Sequence, residues 1–504
     1  MAKAQGLEGL VLRRALLSRL LLLTLILLWR LLFRPYDTSA SLNPSCLSSA
    51  TAGGRLVPSG PILWPRIGAA IEASVVWDGV YFVRIAECGY EYEQTYAFFP
   101  LLPLCISLLS RFVFAPLVPM IGYRPVLALS GYVLNNIAFL FAAVYFYSRL
   151  SVLILKDPAA AFRASILFCF NPASVFYSSI YTESLYALCS LGGLYYLFSG
   201  ANTVAMLLLA LSGSARSNGA LNAGYFCFQA MQHAYNAIIQ KKRPILAVHA
   251  IIGGVARSIC VFVPFLAFQA YGYSNICLGG ISYELRPWCK ARIPNLYGFL
   301  QSHYWGVGFL RYFQVKQLPN FLLASPILSL AIWSIIHYAN KLLQVVQSLN
   351  MHDYNSFAAL LSLLGTNEIS EAVGASKNSS SSKSSQDHTV RRRKQERKDK
   401  STESFQHIRL TDHALLQSPQ GYPSVLVLPF ILHLAFMTFT ALFVMHVQVS
   451  TRFLSASPPI YWFASCILVS PSSTSRRWGY LIWVYFITFI LLGSLLFSNF
   501  YPFT

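Results

Sequence analysis

The run ALLSRLLLLTLILLWRLLF (Ala15–Phe33) is apolar over the length a helix needs to cross a bilayer, about 20 residues at 1.5 Å each. Lys3, Arg13 and Arg14 precede it and no clear small-residue cleavage site follows. It therefore reads as a signal anchor with its N-terminus in the cytosol. Arg19 and Arg30 lie near its ends and are expected to snorkel to the interfaces. The whole chain has the same character. Of 504 residues, 55% are apolar and 11% charged, against the roughly 25% charged residues of a soluble domain. Mean hydropathy is +0.52, and aromatics reach 15% with 36 Phe and 29 Tyr. These values exclude a disordered chain, a coiled coil and an ordinary cytosolic enzyme. They leave an all-α, polytopic transmembrane bundle.

Apolar segments centred near 97–118, 125–148, 163–180, 184–199, 202–215, 245–270, 319–340, 424–447, 459–471 and 479–499 follow the anchor. Several fall short of a full crossing, which sets the expectation at about 8–11 spans with some re-entrant. Within 34–96, residues Trp64 to Tyr90 carry Ile67, Ile71, Val75 and Phe82 at helical spacing, the pattern of an amphipathic helix on the membrane face. The chain divides into an anchor (1–33), a first luminal loop (34–96), a transmembrane core (97–270), a luminal aromatic loop (271–318), a transmembrane helix (319–342), an insert (343–421) and C-terminal transmembrane helices (422–504). The insert holds a serine run, Ser379–Ser385 broken by Lys383, and then RRRKQERKDK (391–400), seven basic residues against two acidic. By composition it is a disordered cytosolic tether.

The 38 Lys and Arg outnumber 18 Asp and Glu, for a net charge of +20. In a polytopic chain this excess belongs to cytosolic loops under the positive-inside rule, and nucleic acid is not expected as a partner. Gln240-Lys241-Lys242-Arg243, the 391–400 run and Arg476-Arg477 mark the cytosolic side. Alternation then places 34–96, 271–318 and 448–458 together on the opposite face. Most of the 10 Cys lie in apolar runs, while Cys277 and Cys289 share one polar loop and can pair if it faces an oxidising lumen. No zinc spacing is present, and no metal is expected.

Acidic groups are scarce, so Trp77-Asp78 stands out in the first luminal loop. A carboxylate near the bilayer surface, its pKa raised by low local dielectric, suits a general base. A helix cap or a salt bridge to Arg84 accounts for Asp78 equally in structural terms. Glu93 either lines the same pocket or sits at a helix N-terminus for its dipole. Gln301, His303, Tyr304 and Trp305 form a polar-aromatic cluster suited to sugar faces or to an interface belt. Arg292, Arg311 and Arg452 fall in luminal loops, either as phosphate donors or as interfacial anchors. Asn171-Pro172 and Glu183 lie in or beside apolar segments, where polar groups either function or satisfy a Pro-broken backbone.

Ordered blocks carry a resemblance. Trp77-Asp78…Phe82, Gly89-Tyr90…Glu93…Ala97-Phe98-Phe99-Pro100, FNPASVFYSSIYTESLYA (Phe170–Ala187), Arg216-Ser217-Asn218-Gly219, the loop Arg286–Phe313 and Val447–Trp462 together resemble the GPI mannosyltransferase 2 family. The resemblance implies a multispan GT-C glycosyltransferase in the endoplasmic-reticulum membrane. Such an enzyme transfers the second, α1,6-linked mannose from dolichyl-phosphate mannose to a mannosyl-glucosaminyl-phosphatidylinositol with inversion. It implies Asp78 as catalytic base, no cofactor beyond the lipid-linked donor, surrounding membrane lipids, and room for a membrane partner subunit. Trp77, Glu93, Gln301, Tyr304, Trp305, Arg311 and Arg452 are the expected substrate-binding residues. The rivals are another polyprenyl-phosphate-sugar enzyme of the same fold and a polytopic transporter, for which no inverted repeat is seen. The 343–421 insert has no counterpart in the family core.

Overall fold

The computed structural model describes residues 2–36, 46–47, 61–278, 286–348 and 425–501. The expected insert 343–421, with Ser379–Ser385 and the 391–400 basic run, lies almost wholly outside the described residues. The described residues are helical, with no strand among them. Among the described residues, six helices are long and apolar enough to cross a membrane: Gly6–Leu32, Tyr123–Val144, Pro244–Leu278, Val315–Val345, Val425–Phe443 and Ser473–Ser498. The chain is a multi-pass membrane protein.

The segment expected around 97–118 is a bent pair, Leu101–Phe112 and Ala115–Ile121, turning by 69°. Pro158–Cys169, Asn202–Ala215 and Pro458–Val469 are shorter apolar helices. Pro244–Leu278 is apolar along most of its length, with Arg257 its one charged residue, yet only 22% of its most apolar stretch is buried within the protein. Such a helix meets lipid on most of its surface.

Two sequence expectations change here. Arg19 does not snorkel. It is 2% exposed, midway along the helix Ala2–Leu32, against the break between Pro158–Cys169 and Ser174–Ser178. Its guanidinium donates to the Cys169 carbonyl (3.1 Å), the Ser174 carbonyl (3.1 Å) and the Ser178 hydroxyl (3.0 Å), and lies 3.8 Å from the Phe139 ring centroid. A helix that ends inside the bundle leaves carbonyls that lipid cannot satisfy, and its negative dipole end attracts a cation. Asn171 completes the break, with its amide donating to the Phe168 carbonyl and accepting from the Ala173 N–H. Arg30 turns inward too, to the Ser498 carbonyl at 2.8 Å.

The single amphipathic helix read over 64–90 is two helices, Pro65–Ala73 and Asp78–Cys88. The break falls at Ser74–Trp77, where Ser74 bonds its hydroxyl back to the Ile71 carbonyl and the β-branched Val75 and Val76 are buried. Trp77 takes φ +53°, a conformation costing about 1–3 kcal/mol outside glycine. Its indole N–H to the Phe497 carbonyl (3.0 Å) and its ring contact with Phe500 (5.8 Å) hold it there.

One end of the bundle gathers the loops. The N-terminal helix and Ser473–Ser498 run in the same direction, and their C-terminal ends meet beside Trp77. Residues 286–317 and 444–457 close over the same end. Gly308 and Leu310 donate backbone bonds to Val444 and Phe443. The described parts of the three loops expected on one face therefore touch one another, Asp78 reaching Arg452 and Glu93 reaching Trp288. Cys277–Cys289 is a disulfide, as is Cys46–Cys88, which the spacing did not suggest.

Candidate functional site

The break before Asp78 makes it the first residue of a helix pointing into a cavity of about 400 Å³. A carboxylate in a first turn is favoured by the helix dipole. The Asp78 backbone N–H donates to the Tyr181 hydroxyl at 3.1 Å. Its carboxylate does not cap the helix and does not pair with Arg84, which instead holds Glu91 at 2.6 Å. Asp78 Oδ2 accepts from Arg452 Nη1 at 3.0 Å. The sequence separation is 374 residues.

Arg452 comes from the short helix Ser450–Leu454 in the loop that follows Val425–Phe443. Its guanidinium lies 5.4 Å from the Phe176 ring and 5.5 Å from the Tyr181 ring. Burial works against its charge, but the Asp78 and Glu183 carboxylates outweigh that and hold its pKa above the ordinary value. Its Nε is buried without a hydrogen-bond partner among the described residues.

A second ion pair lines the same cavity. Glu183 opens the helix Glu183–Phe198 and pairs with Arg216, which leaves the helix Asn202–Ala215 in an extended conformation. The chain then folds tightly under that helix end. A Cβ on Gly219 would sit 2.2 Å from the Ser212 carbonyl oxygen, so only glycine fits there. Tyr297 closes the corner through a 2.7 Å bond between its hydroxyl and Ser217 Oγ, and burial raises its phenol pKa although that bond lowers it. Glu183 Oε2 and both amide atoms of Asn218 are buried without partners among the described residues.

The expected site residues separate into two groups. Trp77, Asp78, Gln301, Trp305 and Arg452 line the cavity. Glu93, Tyr304 and Arg311 are not among its lining residues. Glu93 accepts from Trp288 Nε1 (3.0 Å) and the Tyr304 hydroxyl (2.9 Å) and lies 3.4 Å from Arg286, so it ties the 286–304 loop to the segment Glu93–Ala97. Burial and then Glu93 raise the Tyr304 pKa, keeping the phenol a donor. Arg311 donates to Ser302 Oγ at 2.8 Å. His303 stacks on Phe299 at 4.9 Å. Arg292 is exposed.

Sequence reasoning missed the pairing of Glu183 with Arg216 and gave Asn218 no role. A carboxylate inside an apolar segment was the available signal for Glu183. The only local signal for Asn218 was its place in the block Arg216-Ser217-Asn218-Gly219, which gave it no chemical role. Among the described residues, Cys46, Cys88 and Glu91 cluster at metal-ligand distance, but the two sulfurs are spent in the disulfide.

Residues 7–504 match the family model described as Mannosyltransferase (PIG-V). The chain is 28% identical over 553 residues to the GPI alpha-1,6-mannosyltransferase 2 of Homo sapiens, covering 98% of both chains. It is 29% identical to the protein of the same name from Cricetulus griseus, over 91% of this chain and 83% of that one. It is also 29% identical to GPI mannosyltransferase 2 of Drosophila melanogaster, over 85% and 86%. No solved structure matches.

Proposed function

Because the chain belongs to the PIG-V mannosyltransferase family, we propose that it transfers an α1,6-linked mannose, the second of the glycosylphosphatidylinositol anchor. The donor in this reading is dolichyl-phosphate mannose and the site is the luminal face of the endoplasmic-reticulum membrane. The relatives named as GPI alpha-1,6-mannosyltransferase 2 support the linkage and the acceptor class. The observation that carries the chemistry is the Asp78–Arg452 pair in the wall of the cavity.

Inverting transfer needs a base for the acceptor hydroxyl and a counter-charge for the departing phosphate. In this reading Asp78 takes the proton of the attacking mannose hydroxyl as its oxygen displaces phosphate at the donor's anomeric carbon. Arg452 keeps Nη1 on Asp78 and offers the unpartnered Nε to a leaving phosphate oxygen. One guanidinium thus bridges base and leaving group, and its rigid fork sets the distance between them. Phe98 and Trp305 on the cavity wall offer apolar surface to a sugar face or a polyprenyl chain.

The reading is tested by restoring GPI-anchored proteins to the surface of cells that lack the second mannosyltransferase, together with linkage analysis of the product formed from dolichyl-phosphate mannose. Restoration and an α1,6 linkage are expected. A well-expressed chain that restores nothing would return the acceptor to other lipid-linked glycosyl transfers.

Orientation has its own test. Both disulfides lie at the loop-bearing end, and disulfides persist in oxidising compartments. In intact microsomes, Cys46, Cys88, Cys277 and Cys289 are expected to be alkylated only after reduction. The sequon Asn378-Ser379-Ser380, outside the described residues, is expected to carry no glycan because the insert is placed in the cytosol. A glycan at Asn378, or free thiols at those four positions, would reverse the assignment.

A further inference from the structure

Asn218 is 6% exposed and lines the cavity, yet neither its amide nitrogen nor its amide oxygen has a hydrogen-bond partner among the described residues. Glu183, 2% exposed, lines the same cavity with Oε2 likewise unpartnered. Buried polar groups in folded proteins are nearly always satisfied, and leaving one bare costs free energy. The three bare atoms are buried, and they belong to two residues that line one cavity and that the fold positions through Gly219 and the Arg216 ion pair; a polar ligand seated against them would satisfy them.

The chemistry of the donor set identifies the ligand class. Arg216 is paired with Glu183, and the cation assigned above to the phosphate is Arg452, so the groups left over in this corner are one carboxylate oxygen and one amide. The Glu183 oxygen only accepts. The Asn218 amide donates through nitrogen and accepts through oxygen. A hydroxyl that gives its hydrogen to Glu183 can take one from the Asn218 amide nitrogen. A neighbouring hydroxyl can then donate to the Asn218 oxygen. That is the pattern of a vicinal diol on a hexose.

We infer that Glu183 and Asn218 form the subsite that grips two adjacent hydroxyls of a hexose in the cavity, with Arg216 as the positioning residue that holds Glu183 in place. The inference rests on the mannosyl-transfer reading above. The sugar is either the donor's mannose or the acceptor's, and the two are separated by experiment.

Purified wild type and Asn218→Ala in lipid nanodiscs are compared for Kd toward two probes. One is a short-chain polyprenyl-phosphate mannose, the other a mannosyl-glucosaminyl-inositol phospholipid. Each is also used with single hydroxyls of its mannose removed. Because the Asn218 side chain has no hydrogen-bond partner among the described residues, Asn218→Ala is expected to keep the wild-type melting temperature. It should weaken one probe about ten-fold and leave the other within about two-fold, since one or two hydrogen bonds are lost. The probe affected names the sugar. Removing the gripped hydroxyl should cost the wild type the same factor and the variant nothing further. Where the alanine variant fails to fold, Asn218→Leu keeps the side-chain volume, removes both amide groups without adding a charge and is expected to show the same selective loss.

Unchanged affinity for both probes in these variants overturns the inference. So does an equal loss for both accompanied by a lowered melting temperature, which marks a structural residue. A wild type that binds both probes but transfers no mannose would sink the proposed reaction while the variants still decide the subsite. A wild type that binds neither sinks both.

Discussion

Asp78→Asn is expected to lower kcat by about 10²–10⁴-fold, the usual contribution of a positioned general base, with KM for either substrate changed by no more than a few-fold. The reason lies in what the substitution keeps. An Asn Oδ1 still accepts from Arg452 Nη1, so the bridge that orients the guanidinium stays in place. Only the capacity to take a proton is removed. Abundance and melting temperature should stay near wild type, because the Asp78 side chain is 34% exposed and partly solvated ion pairs contribute only about 0–1 kcal/mol.

Arg452→Lys separates the two halves of the bridge. A lysine can reach Asp78 as a point charge but cannot hold base and phosphate with one rigid fork. A loss of kcat that is strongly non-additive with Asp78→Asn is expected if the two act as a unit. Surface recovery of GPI-anchored proteins and single-turnover transfer measure the effect. If Asp78→Asn lowers protein level in step with activity, Asp78 is structural and its assignment as base falls.

The second large effect is expected far from the chemistry. Arg19→Ala removes a buried cation and leaves the Cys169 and Ser174 carbonyls without their donor. It also empties the space beside Phe139. Leaving two buried carbonyls without a donor costs about 1–3 kcal/mol each. That is a large part of the roughly 5–15 kcal/mol that stabilises a domain. Steady-state protein is expected to fall at least ten-fold, with activity per surviving molecule little changed. Arg19→Lys should recover only part of it, since its donors all sit on one nitrogen and cannot reproduce the planar spread by which Nη1 and Nη2 reach the Ser174 and Cys169 carbonyls. Melting curves in detergent and immunoblots of membranes read the outcome. An Arg19→Ala protein as abundant and heat-resistant as wild type would mean that the 169–174 break is held by Asn171 and packing alone.

These two residues show where sequence reading holds and where it stops. Arg19 follows Ala15-Leu16-Leu17-Ser18 near the start of an apolar run, and a local rule sends such a residue to the interface. The long helix begins at Ala2 rather than near Ala15, which carries Arg19 inward to meet a Pro-broken segment about 150 residues away. Asp78 was legible as a candidate because carboxylates are scarce and it stands beside Trp77, but its proposed local partner was Arg84. Arg84 points to Glu91 instead. Glu93 looked like a second pocket acid and proves to tie down the 286–304 loop. The covalent pairing of Cys277 with Cys289 was readable from a shared polar loop. Cys46 with Cys88 was not, since their 42-residue separation gives no such signal.

The chain alone determined that this is a helical membrane protein, which of its loops lie together, and that Asp78 belongs among its candidate reactive groups. Those conclusions rest on composition, apolar run length, charge asymmetry and the scarcity of acids, all of which are local or additive along the chain. Only the tertiary structure decided that Asp78 faces Arg452, that Glu183 faces Arg216, and that Asn218 is left bare beside them. Ion pairs and hydrogen bonds act over about 3 Å, whereas these partners are separated by 374 and 33 residues. No periodicity in the chain encodes which distant side chains a packed bundle will bring within that reach.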